Sequence, residues 1–149
     1  MANDRESVGA WAKRYYVTGR SLVDSILRPF DLGWTQWHVL NVLVNQGPTM
    51  QRDLGVLLEI ERPTMSGVVT ALVRKGFVDQ SPSATDQRQR ILHLTDTGKA
   101  LWESLPNPIE IVLTIAFEDA DDADLAIARR VLRDATHRIV HYQEKGTNL

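Results

Sequence analysis

The chain contains no cysteine among its 149 residues. Disulfides, thiol chemistry and thiolate metal sites are therefore excluded. The sequence also lacks a run of about eighteen apolar residues, the length that indicates a membrane-spanning helix. The polar N-terminal stretch MANDRESVGAW has none of the apolar character of a signal peptide. We therefore expect a cytoplasmic protein with no membrane partner.

Charge is distributed unevenly, although the formal net charge is only −2. The stretch from Arg62 to Gly76 carries three positive residues and no acid, whereas residues 118–124 carry five acids and no base. Such segregation is expected when one face of a protein meets a polyanion and another face does not. Hydrophobic residues make up 43% of the chain and charged residues 24%, which is typical of a globular domain.

Apolar residues at helical spacing predict four helices in the first half of the chain, over residues 8–30, 35–46 and 50–57, and from about 63 to Gly76. Gly47-Pro48 closes the second helix, and the third helix is short; a brief turn then leads into the fourth helix. Thr49 is expected to cap the third helix, because its hydroxyl can accept a backbone N–H. The third helix is expected to bury Met50, Leu54 and Leu57.

The second half of the chain predicts a hairpin followed by helices. Residues 77–80 and 90–94 are short strand candidates joined by a polar loop. Thr95 is placed to cap a helix, which Pro106 and Pro108 then interrupt. The apolar stretch 109–117 is expected to be buried. The final helix, from about Asp121, carries an apolar seam that needs a partner helix: Leu125, Ala128, Leu132, Ala135, Ile139 and Tyr142.

The third and fourth predicted helices, joined by a tight turn and followed at once by the hairpin, indicate a winged helix-turn-helix. The outward face of the fourth helix therefore matters most. Small or hydrogen-bonding residues suit a helix that enters the major groove of DNA, where close approach to base edges is needed. A merely solvated face is the alternative, but it would usually carry Glu–Lys pairs. The outward residues are Pro63, Ser66, Gly67, Thr70 and Arg74, none of them acidic.

Two further segments could contact phosphates or the minor groove. Thr49, Gln51 and Arg52 begin the third helix, where free backbone N–H groups favour anions; a simple cap with a solvated arginine is the alternative. Arg88 and Arg90 at the hairpin tip fit a wing that enters the minor groove, with Arg88 the one expected to reach it and Arg90 a phosphate contact or a solvated residue. Asp86 is expected to hold Arg88 by an ion pair. A plain solvated turn remains the alternative.

Three runs resemble the MarR family of bacterial transcriptional regulators. The run DQRQRILHLTDTG (86–98) is similar to the family's wing signature. The run RPTMSGVVTALVRKG (62–76) is similar to its recognition helix, and LGWTQWHVL (32–40) is similar to the start of its second helix. Gly33 departs from the Thr or Ser that the family often has there. Because glycine caps almost as well, this departure affects only the exact helix start.

The resemblance implies a mainly α fold with a small β-hairpin, in which a winged helix-turn-helix is joined by N- and C-terminal dimerisation helices. Residues 1–149 would form one domain, with the DNA-binding module at 33–98 and the dimerisation region at 1–30 and 99–149. A homodimer would then bind a pseudo-palindromic operator in double-stranded DNA. The DNA-binding residues expected from the residue patterns and the resemblance together, with Asp86 bracing the wing, are Thr49, Gln51, Arg52, Arg62, Thr64, Ser66, Gly67, Thr70, Arg74, Gln87, Arg88 and Arg90.

The resemblance also implies a repressor that a small, aromatic ligand releases from DNA. Candidate pocket residues are Trp11, Arg14, Tyr15, Trp34, Trp37 and His38, together with Tyr16. Core or dimer packing is the alternative and is favoured for most of them.

The main functional alternative is a winged-helix module that binds protein and responds to no ligand. No glycine-rich phosphate loop or nucleophile motif is present, so no enzyme and no cofactor are expected. Asp134, His137 and His141 lie three and four residues apart but are flanked by arginines. For that reason we expect no metal there.

Overall fold

A computed structural model describes residues 6–146, which are mostly helical with one small sheet. The outer ends of the predicted dimerisation region, residues 1–5 and 147–149, lie outside the described residues. The helices are α1 (Val8–Leu27), α2 (Trp34–Gln46), α3 (Gln51–Leu57), α4 (Arg62–Arg74), α5 (Asp96–Ser104), α6 (Pro108–Ala116) and α7 (Asp122–Glu144), with a 3-10 turn at Arg28–Phe30. The strands are β1 (Thr49–Met50), β2 (Val78–Pro82) and β3 (Arg90–Leu94).

The predicted hairpin is confirmed, and it carries a third strand that the sequence did not predict. All pairings are antiparallel in the order β1-β3-β2; Val78 lies opposite Leu94, and Thr49 lies opposite Leu92. The expected capping role of Thr49 is wrong, because this residue is part of β1. Its hydroxyl instead donates to the Gly47 carbonyl at 2.9 Å, and α3 begins one residue later without a side-chain cap.

The core of the winged module forms around α2, which buries five side chains against the neighbouring helices and the sheet. From α3 only Leu54 is buried; Leu57 is 53% exposed and Met50 is half-buried, so the expected burial of these two is wrong. Each fully buried Leu or Val side chain contributes about 1.5–3 kcal/mol. The buried residues other than those of α2 include Val23, Leu27, Leu32, Leu54, Met65, Val69, Leu72, Val78, Leu92 and Val112.

The start of α2 is fixed by side chains from other elements. Gly33 occupies the N-cap position, and its N–H donates to the Gln36 side chain at 3.3 Å. The Trp34 N–H donates to Asp24 of α1 at 2.9 Å. Lys75, just after α4, donates to the Gln36 side chain at 3.1 Å and to the Asp31 carbonyl. Lys75 therefore ties the end of α4 to the start of α2 and is not a free surface charge.

The junction between α4, the wing and α5 depends on Thr95. α4 ends in a Schellman motif, in which Gly76 has a φ of 81° and the Phe77 N–H donates to the Leu72 carbonyl at 3.1 Å. The Thr95 hydroxyl donates to the Gly76 carbonyl at 2.6 Å and accepts from the Gly98 N–H at 3.0 Å. The predicted cap of α5 is thus confirmed, and the same hydroxyl also holds the end of α4.

Contacts divide the chain into two compact units after Val112. In the second unit Asp121 caps α7 by accepting the Ala123 N–H at 3.0 Å, and none of the 23 residues of α7 is buried. The expected burial of residues 109–117 is wrong for the second half of that stretch, since Leu113 and Ile115 are 46% and 61% exposed. None of the described helices has the length and apolar character needed to cross a membrane.

Gly98→Ala should destabilise the fold. A Cβ at Gly98 would overlap the Phe77 carbonyl oxygen and would lie 2.8 Å from Leu94 Cδ1. We expect the free energy of unfolding, measured by urea titration, to fall by about 1–3 kcal/mol.

The matched control is Gly67→Ala, also inside a helix, where a Cβ would meet nothing within 4 Å. This variant should be neutral or up to about 1 kcal/mol more stable, because alanine has the higher helix propensity. Equal destabilisation by both substitutions would show that the close approach at Gly98 is unimportant.

Candidate nucleic-acid interface

The predicted outward face of α4 is exposed along its whole length. Pro63, Ser66, Gly67, Thr70 and Arg74 are all exposed, whereas the opposite side of the helix buries its apolar stripe. The Thr70 hydroxyl donates to the Ser66 carbonyl at 2.8 Å, so it faces outward as an acceptor. No side-chain atom would hinder close approach at Gly67. This face can therefore lie against a flat or grooved partner.

The wing loop is organised by its own hydrogen bonds. The Ser83 N–H donates to the Gln89 carbonyl at 3.0 Å, which closes the loop above the strands. Asp86 accepts the backbone N–H of Arg88 at 3.0 Å and makes no ion pair with its guanidinium among the described residues. The predicted ion pair is therefore wrong. Because an Asp carboxylate two residues before an N–H readily forms a local turn, Asp86 shapes the loop backbone instead.

A groove of about 610 Å³ runs between α3, the start of α4 and the wing. It brings residues from three separate stretches of sequence onto one surface. Four arginines line the groove, and several like charges gathered on one surface favour an anionic partner. Six predicted DNA-binding residues line it, namely Gln51, Arg52, Arg62, Ser66, Arg88 and Arg90.

Two groove residues have contacts that the sequence did not indicate. The Gln51 side chain accepts from Gln80 Nε2 at 3.0 Å, which ties α3 to strand β2 of the wing. Arg52 lies 3.8 Å from Asp53, but both side chains are more than half exposed. Such an exposed pair contributes little free energy, so Arg52 remains available to an anion.

The other predicted DNA-binding residues lie outside the groove. Gly67, Thr70 and Arg74 continue the exposed face of α4, Gln87 is exposed in the wing loop, and Thr49 is half-buried in β1. Thr64 borders a different cavity. Sequence reasoning missed six groove residues, Val56, Ile60, Glu61, Gly55, Met65 and Gln89. The first three lie in or next to the turn between α3 and α4, where no periodic pattern indicates a direction.

A second cavity, of about 560 Å³, lies between α1, α2 and the turn after α3. Trp34 and His38 line it as predicted, together with Tyr16; Arg20 was not predicted. Its remaining lining residues are Thr35, residues 57–61 and Thr64.

The other predicted pocket residues do not line this cavity. The Arg14 guanidinium lies 4.8 Å from the centre of the Trp11 ring, and both residues are exposed, as is Tyr15. Trp37 is only 5% exposed and packs against Trp102 at 5.5 Å between ring centres. Trp37 is thus a core residue, which agrees with the alternative that the predicted pocket residues serve core packing.

Aromatic rings form one wall of the second cavity. Trp34 makes edge contacts with Tyr16 at 6.0 Å and with His38 at 4.6 Å between ring centres. Burial lowers the pKa of His38, which keeps its imidazole neutral near pH 7. Its Nε2 is buried and has no hydrogen-bond partner among residues 6–146. This wall therefore offers ring faces, ring edges and one unused polar atom.

Asp134 accepts a hydrogen bond from Arg133 Nε at 3.1 Å. Among residues 6–146 no three His, Asp or Glu side chains are grouped in a way that could hold a metal ion.

Comparison with known proteins shows which family these features resemble. Residues 30–89 match the model of the MarR family, which is less than half of the chain but includes α2, α3, α4 and most of the wing. The resemblance found in the motifs is thereby confirmed. The MarR family is one of transcriptional regulators and not of enzymes.

Solved structures share this fold over most of the chain. The transcriptional regulator PA4135 is 26% identical, with a TM-score of 0.71 over 89% of this chain and 98% of that one. BpsR from Bordetella bronchiseptica, whose DNA binding is regulated by 6-hydroxynicotinic acid, is 24% identical, with a TM-score of 0.80 over 91% of this chain and 97% of that one. A mutant of MarR from E. coli, complexed with operator DNA, is 19% identical, with a TM-score of 0.77 over 86% of this chain and 92% of that one. The predicted winged-helix fold is confirmed.

Proposed function

We propose that this MarR-type winged-helix protein is a dimeric repressor that binds a pseudo-palindromic operator and is released by a small aromatic ligand. The groove carries the proposal, because it gathers four arginines from α3, α4 and the wing next to the exposed face of α4. Double-stranded DNA is the polyanion whose major groove accepts such a helix and whose adjacent minor groove accepts such a wing. The operator complex of MarR from E. coli, a protein of the same fold, supports this partner.

In this proposal α4 enters the major groove with Ser66, Gly67 and Thr70 towards the base edges. Ser66 and Thr70 supply hydrogen-bonding groups, and Gly67 lets the backbone approach. Arg88 reaches the minor groove, where negative potential concentrates. Arg52 and Arg62 lie along the groove wall, where they would neutralise phosphates.

Arg88→Ala should weaken binding to a duplex that the wild-type protein enriches from a random pool. We expect a loss of about tenfold or more in fluorescence anisotropy titrations, together with a shallower dependence of affinity on salt, because one cationic contact is removed. The exposed Lys99, which lies on α5 outside the groove, provides the matched control. Lys99→Ala should change affinity by less than about twofold, since exposed charges at a distance are screened.

If Arg88→Ala and Lys99→Ala bound the duplex alike, Arg88 would have no role at the interface. If the wild-type protein bound no duplex even at low salt, the proposed function would be wrong. A winged-helix module that binds protein would then be favoured.

The homodimer is proposed from the apolar seam of α7. Leu132, Ile139 and Tyr142 are 41%, 62% and 48% exposed, although they follow a heptad-like spacing. A helix with such a seam is stabilised by packing against another helix, and in a two-fold dimer the second helix is the same element of the partner subunit. Two copies would also present two winged modules to the two half-sites of an operator.

Ile139→Gln should shift the protein from dimer to monomer. Each buried Ile contributes about 1.5–3 kcal/mol and the change occurs in both subunits, so the dimer dissociation constant should rise more than tenfold in analytical ultracentrifugation. Arg130→Gln changes an exposed residue of α7 off the seam and should leave the dimer intact. An unchanged dissociation constant for Ile139→Gln would exclude this seam as the dimer contact.

The ligand is proposed to bind in the second cavity, against Trp34, His38 and Tyr16. The aromatic wall suits a planar ring, and Arg20 supplies a cation for an acidic group. Two proteins of this fold bind or respond to compounds with aromatic rings: BpsR responds to 6-hydroxynicotinic acid, and CouR from Rhodococcus jostii, 19% identical, is bound to p-coumaroyl-CoA.

Trp34→Leu should weaken the ligand response and retain DNA binding. In a panel of small aromatic acids that includes 6-hydroxynicotinic acid, at least one should release the wild-type protein from its duplex. The same acid should release Trp34→Leu at least about tenfold less effectively, because an aromatic contact and its buried area are lost. Trp11→Leu, which changes an exposed tryptophan outside the cavity, should respond as the wild type does. Release of Trp34→Leu at wild-type concentrations would place the ligand elsewhere.

A further inference from the structure

Glu61 is the one carboxylate among the side chains that line the arginine-rich groove. It precedes α4 immediately and occupies the helix N-cap position, with an extended backbone. The next residue is Arg62, and Ser66 and Arg88 line the same groove. An acid at this point is unexpected on a surface that is otherwise suited to a polyanion.

The Glu61 side chain has no visible role in holding the fold together. It makes no capping hydrogen bond to the first turn of α4. It forms no ion pair with Arg62 or with any other described residue, and it is exposed. Glu is also absent from the residues preferred at N-caps, which are Ser, Thr, Asp and Asn. Local structure therefore does not explain a glutamate here.

Next to DNA this free carboxylate would repel phosphates and base acceptors. It would be stabilised by a hydrogen-bond donor. In the major groove cytosine presents the N4 amino group as its donor, and a Glu side chain accepts from it. Guanine presents only acceptors there, and thymine presents an acceptor and a methyl group. Adenine presents its N6 amino donor beside the N7 acceptor, and that acceptor would repel a carboxylate. The N-terminal residues of a recognition helix are those that contact base edges, and Glu61 lies at that end of α4.

We propose that Glu61 is a specificity-determining residue that accepts a hydrogen bond from the N4 amino group of a cytosine in each half-site of the operator. This inference rests on the proposed function and adds to it the identity of one base. The carboxylate lowers affinity for duplexes that lack a donor at that position, so it acts by rejecting other bases as well as by binding cytosine.

The test compares the sites that three proteins enrich from a random duplex pool: the wild type, Glu61→Gln and Glu59→Gln. Glu59 is the matched control, since it is an exposed glutamate two residues earlier that borders the second cavity and not the groove. The wild type and Glu59→Gln should both enrich cytosine at one position of each half-site. Glu61→Gln should enrich adenine there, because a Gln side chain pairs with N6 and N7 of adenine.

Affinities measured on the enriched duplex and on its cytosine-to-thymine variant give the size of the effect. The wild type should discriminate by about tenfold or more, and Glu61→Gln should lose most of that discrimination. Enrichment of the same sites by Glu61→Gln and the wild type would overturn the inference and leave the proposed function standing. Equally tighter binding of Glu61→Gln to every duplex would also overturn it, because Glu61 would then only repel phosphates. Failure of the wild type to enrich any sequence would overturn the proposed function and this inference with it.

Discussion

The hydroxyl of Thr95, together with its backbone N–H, joins the end of α4, the base of the wing and α5, and the geometry of the groove depends on that junction. It donates to the carbonyl of Gly76 after α4 and accepts the N–H of Gly98 in α5, while the Thr95 N–H donates to Phe77 at the base of the wing. Only a residue without a side chain fits at Gly98, because the backbone at Phe77 lies directly against it. The wing therefore leaves α4 in a fixed direction, which places Arg88 on the same groove as Arg62.

The surface that results is positively charged, with one negative side chain close to the arginines. Arginines from three segments line the groove, Lys75 is used inside the module to hold α4 against α2, and Glu61 is the exception among the positive side chains. The second cavity shares Ile60 and Glu61 with the groove, so the turn between α3 and α4 borders both. The turn contains Glu59 in the left-handed conformation, with a φ of 55°. DNA and a ligand bound to these two surfaces would thus contact the same short segment.

Sequence patterns predicted the features that depend on local spacing. The helix–turn–helix, the Gly76 end of α4, the Thr95 cap and the outward set from Ser66 to Arg74 all follow from periodicity or capping rules, and the structure contains them. Contacts between distant segments were not predictable in this way. β1 has only two residues and so no alternating pattern, and the contact of Asp24 with Trp34 joins residues ten positions apart. The expected Asp86–Arg88 ion pair is wrong, because the carboxylate of Asp86 accepts the backbone N–H of Arg88 instead of pairing with its guanidinium.

The hydrogen bond at the base of the wing loop makes the reach of the loop independent of the pairing of β2 with β3. The hydrogen bond between the Ser83 N–H and the Gln89 carbonyl ends the loop, and below it the register of β2 and β3 is fixed by the sheet, with Pro82 opposite Arg90. Residues added to or removed from 84–88 would change how far the loop extends, but the strand pairing and the position of Arg90 would be unaffected. Relatives of this protein could therefore vary the reach of the wing, and with it the position of Arg88, through loop length alone, while the groove residues of α3 and α4 stay in place.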